Sequence, residues 1–137
     1  MFDWEAFQEG ALWFLLAFGA AAVFTILFKL LYQMVTPYEE KRLIREGNVA
    51  AAISLGGALI GFAIALSKAL SQATSPAEFA VWAALAALIQ ILAFVLVRAV
   101  LVRDLAARIE RGEVSTAVYL AAISISAGLL NAASMTE

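Results

Sequence analysis

The residues able to do chemistry in this chain are few and clumped. Six carboxylates, Glu39, Glu40, Glu46, Asp104, Glu110 and Glu113, fall in two short polar segments, and Lys41, Arg42, Arg45, Arg103, Arg108 and Arg111 stand among them. Carboxylates mixed with bases in a solvated loop form surface pairs of little energetic worth. A carboxylate at the rim of a cavity is different, because low dielectric raises its pKa and lets it bind a proton near neutrality. Glu40 is the candidate carried forward from this set. With no histidine, a proton site must use a carboxylate or a shifted lysine. With no histidine and no cysteine, thiol chemistry, disulfides and nearly all zinc and copper sites are excluded, so no metal and no cofactor is expected. Nor do the residues form a catalytic constellation, so the chain is expected not to be an enzyme.

A second set of polar groups lies inside apolar runs. Lys29 continues a stripe with Thr25, Gln33 and Thr36 at helical spacing, while Gln90 and Arg98 lie near one face of a later run. Charges in lipid often mark an ion or substrate path, yet long basic side chains near a membrane surface also snorkel to the headgroups. Asn131 lies one turn beyond Gly128 and two beyond Ser124. It suits either an interhelical hydrogen bond or an ion ligand. The candidates for a transport pathway are therefore Glu40, Arg98, Gln90, Asn131 and Lys29.

The elements that must position these groups follow from composition. Of 137 residues, 64% are hydrophobic and 15% charged, and the mean hydropathy is +0.93. Soluble domains carry about one quarter charged residues, so the solvent of this chain is the lipid bilayer. Gly10 to Phe28, Gly47 to Ser67, Phe79 to Val97 and Val114 to Met135 hold no charge, and each approaches the ~20 residues that cross a bilayer as helix. The run around "AFGAAA" is read as a span and not a signal peptide, because Asp3, Glu5 and Glu9 precede it where a signal wants bases. The whole of 1–137 is thus expected to be one transmembrane domain, all-α, with four transmembrane helices. Eight of the nine basic residues flank the first and third connections. By the positive-inside bias, those connections are cytoplasmic and both termini periplasmic. A net charge of −2 leaves nothing resembling a nucleic-acid footprint.

Local signals mark the boundaries. Thr36-Pro37 breaks the first helix, and Ser75-Pro76 with Glu78 reads as a capping box opening the third. Tyr38–Glu46 and Arg103–Arg111 read as short amphipathic helices, whose Leu43, Ile44, Leu105 and Ile109 are expected to face the headgroups. Gly47 and Gly112 then follow as left-handed helix ends that turn the chain back into the bilayer. Shifting the chain by 65 residues aligns Glu39 with Asp104, Gly47 with Gly112, Val49 with Val114 and Leu55 with Leu120. This predicts two helical hairpin repeats, about 10–70 and about 76–136, related in parallel by an axis along the membrane normal. Gly57, Gly61 and Ala65, and later Ser124, Gly128 and Ala132, recur every four residues. Such stripes serve close helix packing, within one chain or at a dimer seam. Because four spans can hardly enclose a pathway, a homodimer is favoured.

The stretches "TPYEEKRLIREGNVAAAISLGGALIGF", "IQILAFVLVR" and "GLLNAASMT" resemble the YjfL-type bacterial inner-membrane family, a two-copy domain of unknown function, from about Ala11 to Thr136. The resemblance implies four spans, two repeats and a homodimer in the inner membrane. Transport linked to the proton-motive force is one suggestion for that family. The matching positions are Thr36, Pro37, Glu40, Gly47, Asn48, Gly57, Gly61, Gln90, Arg98, Gly112 and Asn131, which adds Asn48 to the pathway candidates. This chain departs from the family pattern at Ser134, where cysteine is usual, and at Glu113, where asparagine follows the second glycine.

Two functions are consistent with this reading. One is a dimeric ion- or proton-linked transporter or channel of unknown substrate, with Glu40, Arg98, Gln90 and Asn131 on the pathway. The other is a non-transporting scaffold that anchors a cytoplasmic partner through Leu43 and Ile44, since every charged cluster lies on that face.

Overall fold

The computed structural model describes residues 1–135; Thr136, with which the second predicted repeat ends, lies outside them. The chain is all-helical among those residues, and four helices are long and apolar enough to cross a membrane.

Helix α1 runs from Trp4 to Val35. Asp3 starts it by accepting hydrogen bonds from the amides of Glu5 and Ala6 at 3.0 and 3.2 Å. It stops at Thr36 because Pro37 disfavours helical geometry in the residue before it. The short α2, Glu40–Arg45, ends on Gly47 at φ +87°. There the amides of Gly47 and Asn48 close on the carbonyls of Ile44 and Leu43 at 3.0 and 2.8 Å, the Schellman arrangement that favours glycine. Helix α3, Val49–Gln72, then crosses the bundle. Helix α4, Pro76–Leu96, continues through a π-helical turn at Val97–Leu101. Its capping box is half formed. Ser75 Oγ accepts from the Glu78 amide at 3.1 Å, but the Glu78 carboxylate takes the Thr74 hydroxyl at 2.8 Å. Asp104, at φ +57°, turns the chain into α5, Leu105–Glu110. A second Schellman end at Gly112, φ +79°, leads into α6, Val114–Ser134.

Helices α3 and α6 form the centre and lie in parallel, Gly57 facing Ala121 and Gly61 facing Ser124 and Gly128. A Cβ at Gly57 would sit 2.5 Å from Ala121 Cα, and one at Gly61 or Gly128 would meet the other helix's carbonyl oxygen. The backbones therefore touch, which only the small-residue stripes permit. Helix α4 packs antiparallel to both. Helix α1 lies along α3 through its second half only, where Phe28 stacks on Phe62 at 4.4 Å and Tyr32 meets Phe94 edge-on at 5.2 Å. Its first half leaves Trp4, Phe7, Leu12, Trp13, Phe14, Leu15, Leu16 and Phe18 exposed.

The two short helices correct one expectation. Leu43, Leu105 and Ile109 do not face the headgroups: they are buried at 5%, 2% and 0% exposure, and Ile44 alone is outward at 37%. Residues three or four apart share a helix face, so Glu40 and Leu43 on α2, and Leu105 and Ile109 on α5, turn inward together. Against those faces stand α3 and α6.

Candidate functional site

The break between α1 and α2 folds a carboxyl back into the protein. Glu40 opens α2 four residues after the cap residue Thr36 and is 2% exposed. Of the six carboxylates in the two polar segments it is the buried one; the other five side chains remain open or partly open to solvent. Thr36 Oγ1 donates to Glu40 Oε1 at 2.8 Å and also lies 3.1 Å from the Gln33 carbonyl. Glu40 Oε2 is buried without a partner, as are the hydroxyls of Tyr32 and Tyr38. The Tyr38 hydroxyl stands beside those of Tyr32 and Ser54, and Ser54, fully buried, donates to the Ala51 carbonyl at 3.1 Å. Lys29, half-buried on α1, is near enough for its charge to favour the ionised form of the same acid, without an ion pair to it.

The electrostatics follow from this placement. Loss of water raises Glu40 from the usual carboxylate range to about 7, against the opposing pull of the Thr36 hydrogen bond and the Lys29 charge. Burial likewise pushes the Tyr38 phenol well above its ordinary value; the Ser54 hydroxyl opposes this and the Glu40 charge adds to it. Near neutrality Glu40 thus exchanges a proton while Tyr38 stays a neutral hydroxyl. The acid is reached from a pocket of about 510 Å³, whose walls include Gln33, Thr36, Tyr38, Glu39, Lys41, Arg42 and Arg45.

The remaining candidates fall in three other places. Asn48 caps α3, its Oδ1 accepting from the Ala51 amide at 2.9 Å, while Nδ2 donates to the carbonyls of Ile109 and Glu110 at 2.9 and 3.3 Å. One side chain thereby ties the start of α3 to the end of α5. Its counterpart Glu113 caps nothing, and pairs with Arg108 at 2.9 Å and Arg111 at 3.5 Å. Gln90 is 1% exposed and donates to the Ser124 carbonyl at 3.1 Å, leaving its own Oε1 buried and unpartnered. Asn131 donates to the Ala86 carbonyl at 3.2 Å. These two amides stitch α4 to α6. Arg98 is exposed in the π-helical turn and forms no ion pair among the described residues. Glu40 and Lys29 therefore share one site, Gln90 and Asn131 a second, and Arg98 neither. No group of acids, histidines or cysteines that could hold a metal occurs among the described residues.

Sequence reasoning missed Tyr32, Tyr38 and Ser54. Tyr32 lies four residues before Thr36, on the polar stripe already traced through Lys29 and Gln33, so its hydroxyl was legible there. Ser54 carried no such signal, because an isolated serine in an apolar helix usually bonds its own backbone.

Comparison with known proteins places the chain among others of the same length. Residues 6–135 match the family model described as Domain of Unknown Function (DUF350). The UPF0719 inner membrane protein YjfL of Escherichia coli strain K12 is 32% identical over 126 residues, covering 89% of this chain and 95% of that protein. The UPF0719 transmembrane protein YshE of Bacillus subtilis strain 168 is 29% identical over 65 residues, covering 47% of this chain and 48% of that protein. No solved structure matches.

Proposed function

The chain belongs to the DUF350 family, and from that premise we propose that it is an inner-membrane transporter or channel for protons or small ions, with Glu40 as its proton-binding group. The observation that carries the reading is a single acid, 2% exposed, with one oxygen unpartnered beside two buried tyrosine hydroxyls at the mouth of an open pocket. A structural carboxylate would be exposed and ion-paired, as Glu39 and Glu46 are with Arg42. A titrating acid at a helix break can bias two packings of the helices it joins.

The working unit in this reading is a homodimer with both termini periplasmic, because four helices, the central two packed backbone to backbone, can hardly enclose a pathway within one copy. Two parallel hairpin repeats fit the matching Schellman ends at Gly47 and Gly112. Catalysis and cofactors have no part in it. The anchoring alternative loses ground on one count: of Leu43 and Ile44, the two residues meant to dock a cytoplasmic partner, Leu43 faces the protein interior and only Ile44 is outward. Proton flux in proteoliposomes under an imposed pH gradient tests the proposal. Wild type should exceed empty liposomes and Glu40→Gln should not; flux unchanged by Glu40→Gln would remove Glu40 from the pathway.

A further inference from the structure

The pocket at the α1–α2 elbow has a basic rim and a buried acid in its wall. Lys41 and Arg45 lie four residues apart on α2, on one face, and neither forms an ion pair among the described residues. Arg42, between them, is occupied by Glu39 at 3.1 Å and Glu46 at 3.4 Å. The half-buried Gln33 contributes an amide, and Glu40 lines the pocket with Oε2 free of any partner. Three cations thus stand against the two exposed carboxyls of Glu39 and Glu46, with the third, Glu40, withdrawn from water.

We propose that this pocket binds an oxyanion of the phosphate class, held by Lys41 and Arg45 and admitted when Glu40, buried in the wall behind them, is neutral. The proposal rests on the reading that Glu40 takes up a proton. Its chemistry is that of a multidentate anion: an ammonium supplies a point charge, a guanidinium a planar fork, and both match tetrahedral oxygens. About 510 Å³ is ample for such a group. An ionised Glu40 would repel the anion through the pocket wall, whereas the neutral acid would not. Anion and proton therefore bind together, and by linkage each strengthens the other equally. The groups facing Glu40 are Lys29 and Tyr32 from α1 and Tyr38 from the elbow; α3 presents only the Ser54 hydroxyl. The anion can come from solution or from a lipid headgroup at the cytoplasmic surface, where anionic lipids gather near basic segments.

Sulfate separates the effects, since its charge is constant between pH 6 and 8. Protein in phosphatidylcholine nanodiscs should bind sulfate saturably by calorimetry, about tenfold more tightly at pH 6 than at pH 8. Glu40→Gln should keep binding and lose the pH dependence. Lys41→Ala/Arg45→Ala should weaken binding about tenfold or more, while Lys68→Ala, at the other end of α3, should not. If a lipid headgroup is the natural occupant, phosphatidylglycerol in the disc should suppress sulfate binding, and its retention in native mass spectrometry should fall in the double variant. Both positions are exposed, so the variants should fold; Lys41→Gln alone serves as a milder check. Sulfate and phosphatidylglycerol binding both indifferent to Lys41 and Arg45 would overturn the proposal. Glu40-dependent proton flux with no anion binding refutes this inference alone; anion binding without flux refutes proton carriage alone.

Discussion

Thr36 donates from Oγ1 to Oε1 of Glu40 at 2.8 Å, and that bond spans the point where α1 stops and α2 begins. The bond is stronger to an ionised carboxylate than to a neutral one. Glu40 therefore recovers on one oxygen, by ionising, only part of what it loses through burial. The balance leaves it near pH 7, so the elbow has two charge states near neutrality.

The first expectation concerns stability against pH. The folded Glu40 binds its proton up to about pH 7, whereas its ordinary value is 4.5. Between those values the native state holds more protons than the unfolded one, so stability falls as pH rises through that window and levels off above it. The difference is of order 3 kcal/mol. Thermal unfolding of detergent-solubilised protein from pH 4 to 9 should show that decline, and Glu40→Gln should flatten it.

Thr36→Val removes the hydrogen bond that holds Glu40 down. The acid should then titrate at higher pH than in the native chain. In the flux assay the pH at which transport changes should move to the alkaline side. A shift to the acid side, or none, would show that Thr36 does not act on the carboxyl.

Substitutions in α3 should divide sharply by face. Gly61→Ala drives a methyl into the Ser124 carbonyl and the Gln90 amide, whereas a methyl on Gly56 meets nothing within 4 Å. The first should cost roughly 1–3 kcal/mol, and the second should gain a few tenths, roughly up to 1 kcal/mol. Chemical unfolding in mixed micelles reads both.

Asn48 tests whether its cap or its cross-link matters more. Asn48→Ala loses both and should cost about 1–2 kcal/mol. Asn48→Asp keeps the acceptor for the Ala51 amide but sets a carboxylate against the Ile109 and Glu110 carbonyls. If the tie to α5 dominates, Asp should melt no higher than Ala in thermal scans.

Much of this arrangement was legible in the order of residues. The four apolar runs, the stop at Thr36-Pro37 and the left-handed glycines at positions 47 and 112 are each fixed by local chemistry, and the structure has them. What local chemistry could not decide was direction. A leucine on a six-residue helix can face lipid or protein at equal hydrophobic gain, so Leu43, Leu105 and Ile109 turned inward without warning. The same ambiguity hid the burial of Glu40, which the sequence singles out as a candidate without saying which way it faces. Only the three-dimensional course of the elbow distinguishes it, because it turns Glu40 inward with Leu43 on the face of α2 that packs against α3.

The contact of Gly61 with Gly128 has a mechanical consequence. Where two helices meet through bare backbone there are no side chains to change rotamer, so the pair has no soft coordinate by which to slide. Helices α3 and α6 form a fixed post. Helix α1 has no such backbone contact: a few aromatic rings hold it over half its length, and the Glu40 elbow is where it joins the rest.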